Sequence, residues 1–434
     1  MSNWNTEQPI LTPIFATKSA AIGGRIYVAG GRDTGRVYNT LQIYDLQTST
    51  CENGPEMPYA KNDPSVIGYD GKLYVFGGSL NPQNSAFSNT VEVFDVLTGI
   101  WSSKAEMPNA GWRFAPVVSG TDIYLIGNAA NGDNRIQIYD TVSNTWSFGA
   151  ALPETIYAPT AQLHKGNIYI IGGNQSNLNV SGPSNHVWIY NIESGTFTIG
   201  SPITIGRTYA SSVQSGDKIY LLGGYSNTAL SDVSVYDIIG NFWYKDIPDL
   251  LPARHSFAAS LAGNKIYVMG GQSNGTLDLT ESIELPPEKL YVLIETGETE
   301  QLSINYNLLD NRILDWSSLN ADVAAVNEDG LVTGVEEGMT HIEAASADGT
   351  YRDFVPVKII DGKRIALHLI VNETGILFLA PNPLDVIWNS DNSNIATISD
   401  QGEVTAVSRG LVRMTGVWDG TEHEIYVRVN EEQI

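Results

Sequence analysis

A single cysteine, Cys51, stands in 434 residues. It excludes an internal disulfide and a thiolate metal cage. Histidine is also sparse: positions 164, 186, 255, 341, 368 and 423 offer no pair at metal-ligand spacing. No run of 18 apolar residues occurs, so no membrane-spanning helix is expected. Cations are half as numerous as anions, 24 Lys and Arg against 48 Asp and Glu, and the deficit is uneven. Residues 1–285 hold 15 basic and 23 acidic side chains; the remainder holds 9 and 25. Such a chain is a poor partner for nucleic acid or anionic lipid. The start, Met1-Ser2-Asn3-Trp4, has neither a basic nor an apolar stretch and does not read as a secretory leader. Gly-x-Ser-x-Gly elbows, phosphate loops and EF-hand loops are all missing. No metal, cofactor or catalytic residue is therefore expected.

What is abundant is glycine, at 42 residues, set among Tyr, Ile, Val and Thr. This composition favours many short strands joined by turns. Arg25-Ile26-Tyr27-Val28-Ala29-Gly30-Gly31 opens a series of six copies spaced 45 to 51 residues apart. The others begin at Lys72, Asp122, Asn167, Lys218 and Lys265. Each is an apolar run that suits a strand buried on both faces, ending in a Gly pair (Gly127-Asn128 in the third). A second strand follows each pair, and most end in Tyr-Asp or Phe-Asp, as at Tyr44-Asp45 and Phe94-Asp95. A third segment then carries Trp101, Trp146, Phe197 or Trp243, with Cys51 in that slot in the first copy, where it reads as a small buried apolar residue. The sixth copy stops at Pro286-Pro287 without its aromatic, and Trp4 sits alone near the start. Residues 2–7 are expected to supply the missing outer strand and close the ring.

These residues resemble kelch repeats, whose signature is a Gly pair, a later Tyr and a Trp about six residues on. The resemblance implies a six-bladed β-propeller over residues 1–286. Beyond Pro287 a second repeat begins. Asp315-Trp316-Ser317-Ser318, Ala324-Ala325-Val326 and Gly330-Leu331-Val332-Thr333-Gly334-Val335 return 72 residues later, around Trp388 and Gly402. Trp to Gly is 14 residues in both copies, and apolar and polar residues alternate as in half-buried strands. These pieces resemble the bacterial immunoglobulin-like family, group 2. The first module is placed at 287–361 and a second, degraded one at 362–434, joined to the ring by a short, stiff Pro286-Pro287-Glu288. The expected class is thus all-β: a kelch propeller closed by an N-terminal strand, then two tandem Ig-like sandwiches.

In such a ring the turn after each Gly pair and the link into each new blade emerge on one face. The turns supply Arg32, Arg36, Tyr38, Tyr225 and the polar stretches 79–88 and 174–184. The links supply Lys61, Trp112, Arg113, Tyr157, Arg207, Tyr209, Arg254 and His255. Five of the propeller's seven Arg residues fall in these loops of an acidic chain. Guanidinium forks read carboxylates, and aromatic rings stack on sugar faces. The same Arg residues follow Met-Pro or Pro in the repeat, as at Met107-Pro108 and Pro252, and can equally hydrogen-bond the next blade. Ligand-binding candidates are Arg32, Arg36, Trp112, Arg113, Tyr157, Arg207, Tyr209, Arg254 and His255.

Copper-radical and sialidase rings are disfavoured by the outer-strand position of Cys51 and by the lack of Ser-x-Asp boxes. The second module finishes near Ile434, and neither leader nor anchor is evident. The expectation is a non-catalytic phage or phage-like virion accessory whose propeller binds a host-surface glycan or protein, with the Ig-like modules available to other virion proteins. A bacterial surface or secreted carbohydrate-binding adhesin is the competing expectation, and a sialic-acid mutarotase-like enzyme the third.

Overall fold

A computed structural model describes residues 3–176, 181–245, 247–286, 291–302, 314–346, 352–377, 379–380 and 383–431. The chain divides into two units, Met1–Pro286 and Pro287–Ile434. The join at 287–290, expected to be stiff, lies outside the described residues, as does residue 2 of the expected closing strand.

The first unit is six four-stranded antiparallel sheets. Blade one is built from Lys18–Ile22, Arg25–Ala29, Leu41–Asp45 and Thr50–Asn53, and the next four repeat that order. Their innermost strands are Ser65–Tyr69, Ala115–Ser119, Thr160–His164 and Ser211–Ser215. Blade six opens with Ala258–Ala262, which lies beside Lys18–Ile22, so the ring closes. Each Gly-pair strand is the second of its blade and is buried on both faces, as its unbroken apolar run requires. Apolar cores lie between successive blades rather than in a common centre.

Three recurring residues explain the repeat. The Asp ending the third strand caps the following turn: Asp45 Oδ1 accepts from the amides of Gln47 and Thr48, and Asp95 Oδ1 from those of Leu97 and Thr98. These amides hold both carboxyls below their usual range. The outer-strand Trp packs on the Tyr or Phe opposite and reaches the preceding blade. Trp101 donates to Pro55 O at 2.9 Å, Trp146 to Ala105 O and Trp243 to Ser201 O. The second Gly donates to the link of the next blade, Gly31 N to Lys61 O at 2.8 Å and Gly224 N to Arg254 O at 3.0 Å.

In five of the six blades, all but the third, no side chain fits at the first Gly. Gly223 has φ +49°, and a Cβ there would lie 2.6 Å from Arg254 O. Gly223→Ala is expected to cost well over about 1 kcal/mol in urea unfolding. Asn128 departs by taking an ordinary φ: its amide still donates to Ile156 O, and its Oδ1 accepts from Ile156 N.

The N-terminus closes the ring. Asn5–Thr6 pairs antiparallel with Thr280–Glu284, Asn5 opposite Ser282. Trp4 occupies the missing aromatic slot and donates to Pro248 O at 2.8 Å, as the other outer-strand Trp residues do to their neighbours. Cys51 lies opposite Tyr44 in that same slot of blade one.

The second unit holds two sandwiches of one topology. In each, a four-stranded sheet carries one parallel pair: Val292–Glu295 beside Arg352–Ile360, and Ile365–Ile370 beside Thr421–Asn430. A three-stranded sheet covers each core. The Trp-to-Gly spacing has a steric cause. Trp316 lies against Gly330 (φ +81°), where a Cβ would sit 2.6 Å from the indole; Trp388 also lies beside Gly402 (φ +77°), but there a Cβ would first meet Leu377 O at 2.5 Å, with the indole at ordinary contact distance.

Candidate recognition face

Two residues before each innermost strand the chain turns left-handed. The six residues are Ala16, Asp63, Arg113, Ala158, Tyr209 and Ser256, with φ between 51° and 59°. None is Gly, so each carries a conformational cost of order 1 kcal/mol. Five of them, all but Ala158, are joined by a chain of hydrogen bonds about the axis. Ala16 N donates to Ser256 O, Asp63 N to Ala16 O, Arg113 N to Asp63 O and Ser256 N to Tyr209 O, at 2.7 to 3.0 Å. This collar stands where all six innermost strands begin, on the face that also carries the links and the turns after the Gly pairs.

The collar brings several expected residues together. Asp63 Oδ2 lies 2.6 Å from Arg113 Nη2. With only Ala158 between, the Arg113 guanidinium crosses to stack 4.2 Å over Tyr209, two blades on. Burial works against its charge, but Asp63 holds its proton more tightly than usual. Tyr209 continues to His255, which meets Tyr225 edge-on at 5.3 Å. Burial and then Arg113 push the His255 imidazole below its ordinary pKa. Arg32 lies over Phe15 at 4.5 Å and feels both Asp63 and Arg113. A second row runs outward: Phe87 stacks on Trp112 at 4.2 Å, and Trp112 tilts toward Tyr157 at 5.9 Å. Trp112, Arg113, Tyr157, Tyr209, His255 and Arg32 are all half-buried, and Arg36 is exposed, set 5.0 Å over Tyr38 in a turn that Asp33 organises. The Nε–H groups of Arg32 and Arg113 and the indole N–H of Trp112 are buried without a protein acceptor.

Arg207 and Arg254 do not reach this face. Their side chains are 1% and 0% exposed. Each stands two residues before its collar residue and turns into the wall of its own blade. Arg207 pairs with Asp232 at 2.6 Å and donates to Gly223 O. Arg254 pairs with Glu281 and donates to Gly270 O. Lys61 is their counterpart in blade two, paired with Glu92 and bonded to Thr90. The expectation that Arg207 and Arg254 line a ligand surface is corrected: with Lys61 they brace the link against the third strand. Burial penalises the charges, pushing Lys61 and Arg254 down and Glu281 up. Blades one and three do the same work without charge. Gln42 accepts from Thr12 N and donates to Thr12 O, and Gln137 does so with Asn109. In blade four Glu154 accepts from Trp188 Nε1 at 2.7 Å.

The two long turns are tied differently. Residues 79–88 are held by bridges from Ser79 to Asn62 and Phe87 and by Asn62 Nδ2 donating to Asn84 Oδ1 at 2.7 Å. In 174–184, Asn174–Ser176 pairs with Ser181–Pro183 and with Ile156–Tyr157, while 177–180 lie outside the described residues. Sequence reasoning missed Asp63, Phe87 and Phe15. The available signal was position: Asp63 stands two residues after Lys61, as Tyr209 does after Arg207.

Comparison with known proteins bears on the repeats. Residues 16–58 match the kelch motif, residues 64–271 the KLHDC2/KLHL20/DRC7 kelch-repeats domain, and residues 280–352 the bacterial Ig-like domain, group 2. The chain carries kelch repeats and a bacterial Ig-like domain. Kelch repeat and BTB domain-containing protein 1 of cowpox virus is 26% identical over 242 residues, 54% of this chain and 42% of that protein. Its horsepox virus namesake is 25% identical over 243 residues. An F-box/kelch-repeat protein of Arabidopsis thaliana is 38% identical over 92 residues, 21% of this chain and 22% of that protein. The chain thus spans less than half the length of these curated relatives. Among the described residues, no three His, Cys, Asp or Glu side chains gather where they would hold a metal ion, and no helix is long and apolar enough to cross a membrane.

Proposed function

We propose that this chain is a non-catalytic recognition protein whose collar face binds a glycan or protein on a host surface. The observation that carries the reading is the presence on one face of the Phe87–Trp112–Tyr157 row and the Arg113–Tyr209–His255 set, linked through the adjacent Trp112 and Arg113. Flat rings offer area to a sugar or an apolar side chain at little entropic cost, and the guanidinium and indole N–H groups fix its orientation. We further propose display on a phage or phage-like virion, with the Ig-like modules as the part that meets other virion proteins. The pairing of a kelch ring with bacterial Ig-like modules supports a displayed role, and the net charge of −24 disfavours nucleic acid as the target.

Fractionating a native culture into lysate, envelope and released particles, with detection by mass spectrometry, tests the display. Co-sedimentation with particles is expected; confinement to the envelope or soluble fraction would overturn the virion role and leave an adhesin. For the face, Trp112→Ala with Tyr157→Ala is expected to weaken ligand binding by about tenfold or more, the scale of a lost aromatic anchor. The melting temperature should change little, because both rings are half-buried on the surface.

A further inference from the structure

Along the axis of the ring lies a cavity of about 550 Å³, open to solvent and lined by the innermost strands of all six blades. This is the size range of small-molecule sites. Pseudo-symmetry makes one residue stand out. The first positions of the six innermost strands are Lys18, Ser65, Ala115, Thr160, Ser211 and Ala258. Five are small, as strands converging on an axis demand. Lys18 alone places a long cationic side chain there, directly below the collar.

Its surroundings do not neutralise it. Among the described residues the Lys18 ammonium has one hydrogen-bond partner, Ser211 Oγ at 3.3 Å, and no carboxylate within ion-pair distance. Asp63 favours its charge from the collar, but Asp63 is already paired with Arg113, which opposes it. Burial dominates, and the amine is pushed down to about 8. An ammonium keeps two further donors for an anion, and burial without one is costly. The wall beside it is rich in hydroxyls and amides. Ser19 Oγ meets Ser260 Oγ at 2.8 Å, Thr160 Oγ1 meets Ser212 Oγ at 2.6 Å, and Gln162 Nε2 donates to Ser212 O.

We infer that the central cavity is a second binding site, distinct from the collar face, which takes a small hydroxylated carboxylate with its carboxylate on the Lys18 ammonium. The hydroxyls of such a ligand exchange hydrogen bonds with the Ser, Thr and Gln groups of the wall, and its charge supplies the counter-ion that the cavity lacks. A neutral polyol of the same size forgoes the ion pair. The site does not depend on the function of the collar face.

Titration calorimetry of the full chain with D-gluconate, D-glucuronate and neutral D-glucitol tests this. At least one of the two carboxylates is expected to bind saturably, with glucitol weaker by about tenfold or more, the scale of a charge-assisted hydrogen bond. Lys18→Met keeps the length and removes the charge. It is expected to weaken carboxylate binding by a similar factor without lowering the melting temperature, because it deletes a half-buried charge that has no carboxylate partner. Trp112→Ala serves as the control that leaves cavity binding unchanged. Undiminished binding in Lys18→Met, or equal binding of glucitol, would overturn the assignment, as would the absence of saturable binding by either carboxylate.

Discussion

Arg254→Ala is expected to cost the propeller about 3–5 kcal/mol of stability, among the largest effects open to any single side chain of the ring. The side chain is wholly enclosed, and its removal strands Glu281, 7% exposed, without its cation. It also removes a donor from Gly270 O, beside the contact between blade six and the link at Ile14. The expected result in urea unfolding is a lower midpoint with a little-changed slope. Arg207→Ala behaves alike but less severely, since Asp232 retains Lys245 at 2.9 Å. Replacing the Arg254–Glu281 pair together, as Met and Leu, should recover much of the loss, because a well-packed apolar pair avoids desolvating two charges. Arg113→Ala strands Asp63, 6% exposed, in the same manner, so it is expected to lose stability as well as binding. An Arg254→Ala protein that melts like the parent would show that the wall does not depend on this brace.

Deleting residues 1–8 is the second large effect. Blade six takes its outer strand from Asn5–Thr6, and Trp4 packs on the cluster shared by blades five and six. Glu7 is lost as well, with its acceptor for Ser282 Oγ at 2.7 Å and its amide bond to Thr280 O. Loss of the indole alone is a change of about 3–5 kcal/mol. The deletion also leaves Thr280–Glu284 as an open edge. A fall in melting temperature on the order of 10 °C or more is expected by scanning calorimetry. If Trp4→Ala alone gives most of that fall, packing rather than strand pairing closes the ring. A truncated chain that melts like the full one would contradict the closure.

The parts legible in the sequence were those in which one residue type does one job in every copy. Gly pairs mark a backbone that touches the next blade. Asp45 and Asp95 mark turns capped by a carboxylate, and Trp101, Trp146 and Trp243 mark the reach to the preceding blade. Trp4 could be assigned because blade six lacked that one residue. The 14-residue step from Trp to Gly recurs in the second module because both glycines take a left-handed turn with no room for a Cβ, against the indole at Gly330 and against Leu377 O at Gly402.

Three features were hidden. The innermost strands, such as Ala258–Ala262, are small and weakly alternating because they crowd an axis rather than divide core from solvent. The collar has no signature: Ala16, Asp63, Arg113, Ala158, Tyr209 and Ser256 share a backbone conformation imposed by bonds between blades, not by residue type. The braces were read as ligand groups because their partners lie far off in sequence and differ between blades. Arg207 meets Asp232, Arg254 meets Glu281, and Gln42 does the same work without charge. An Arg on a link is therefore ambiguous until the third strand of its own blade is seen.

The most direct test of the recognition account is binding of the full chain to arrays of bacterial cell-surface glycans and envelope proteins, with Trp112→Ala/Tyr157→Ala measured in parallel. The account predicts a discrete set of ligands for the parent protein and loss of that set in the double variant, with melting retained. The same ligands bound equally by both proteins, or none bound by the parent, would contradict a recognition role for the collar face.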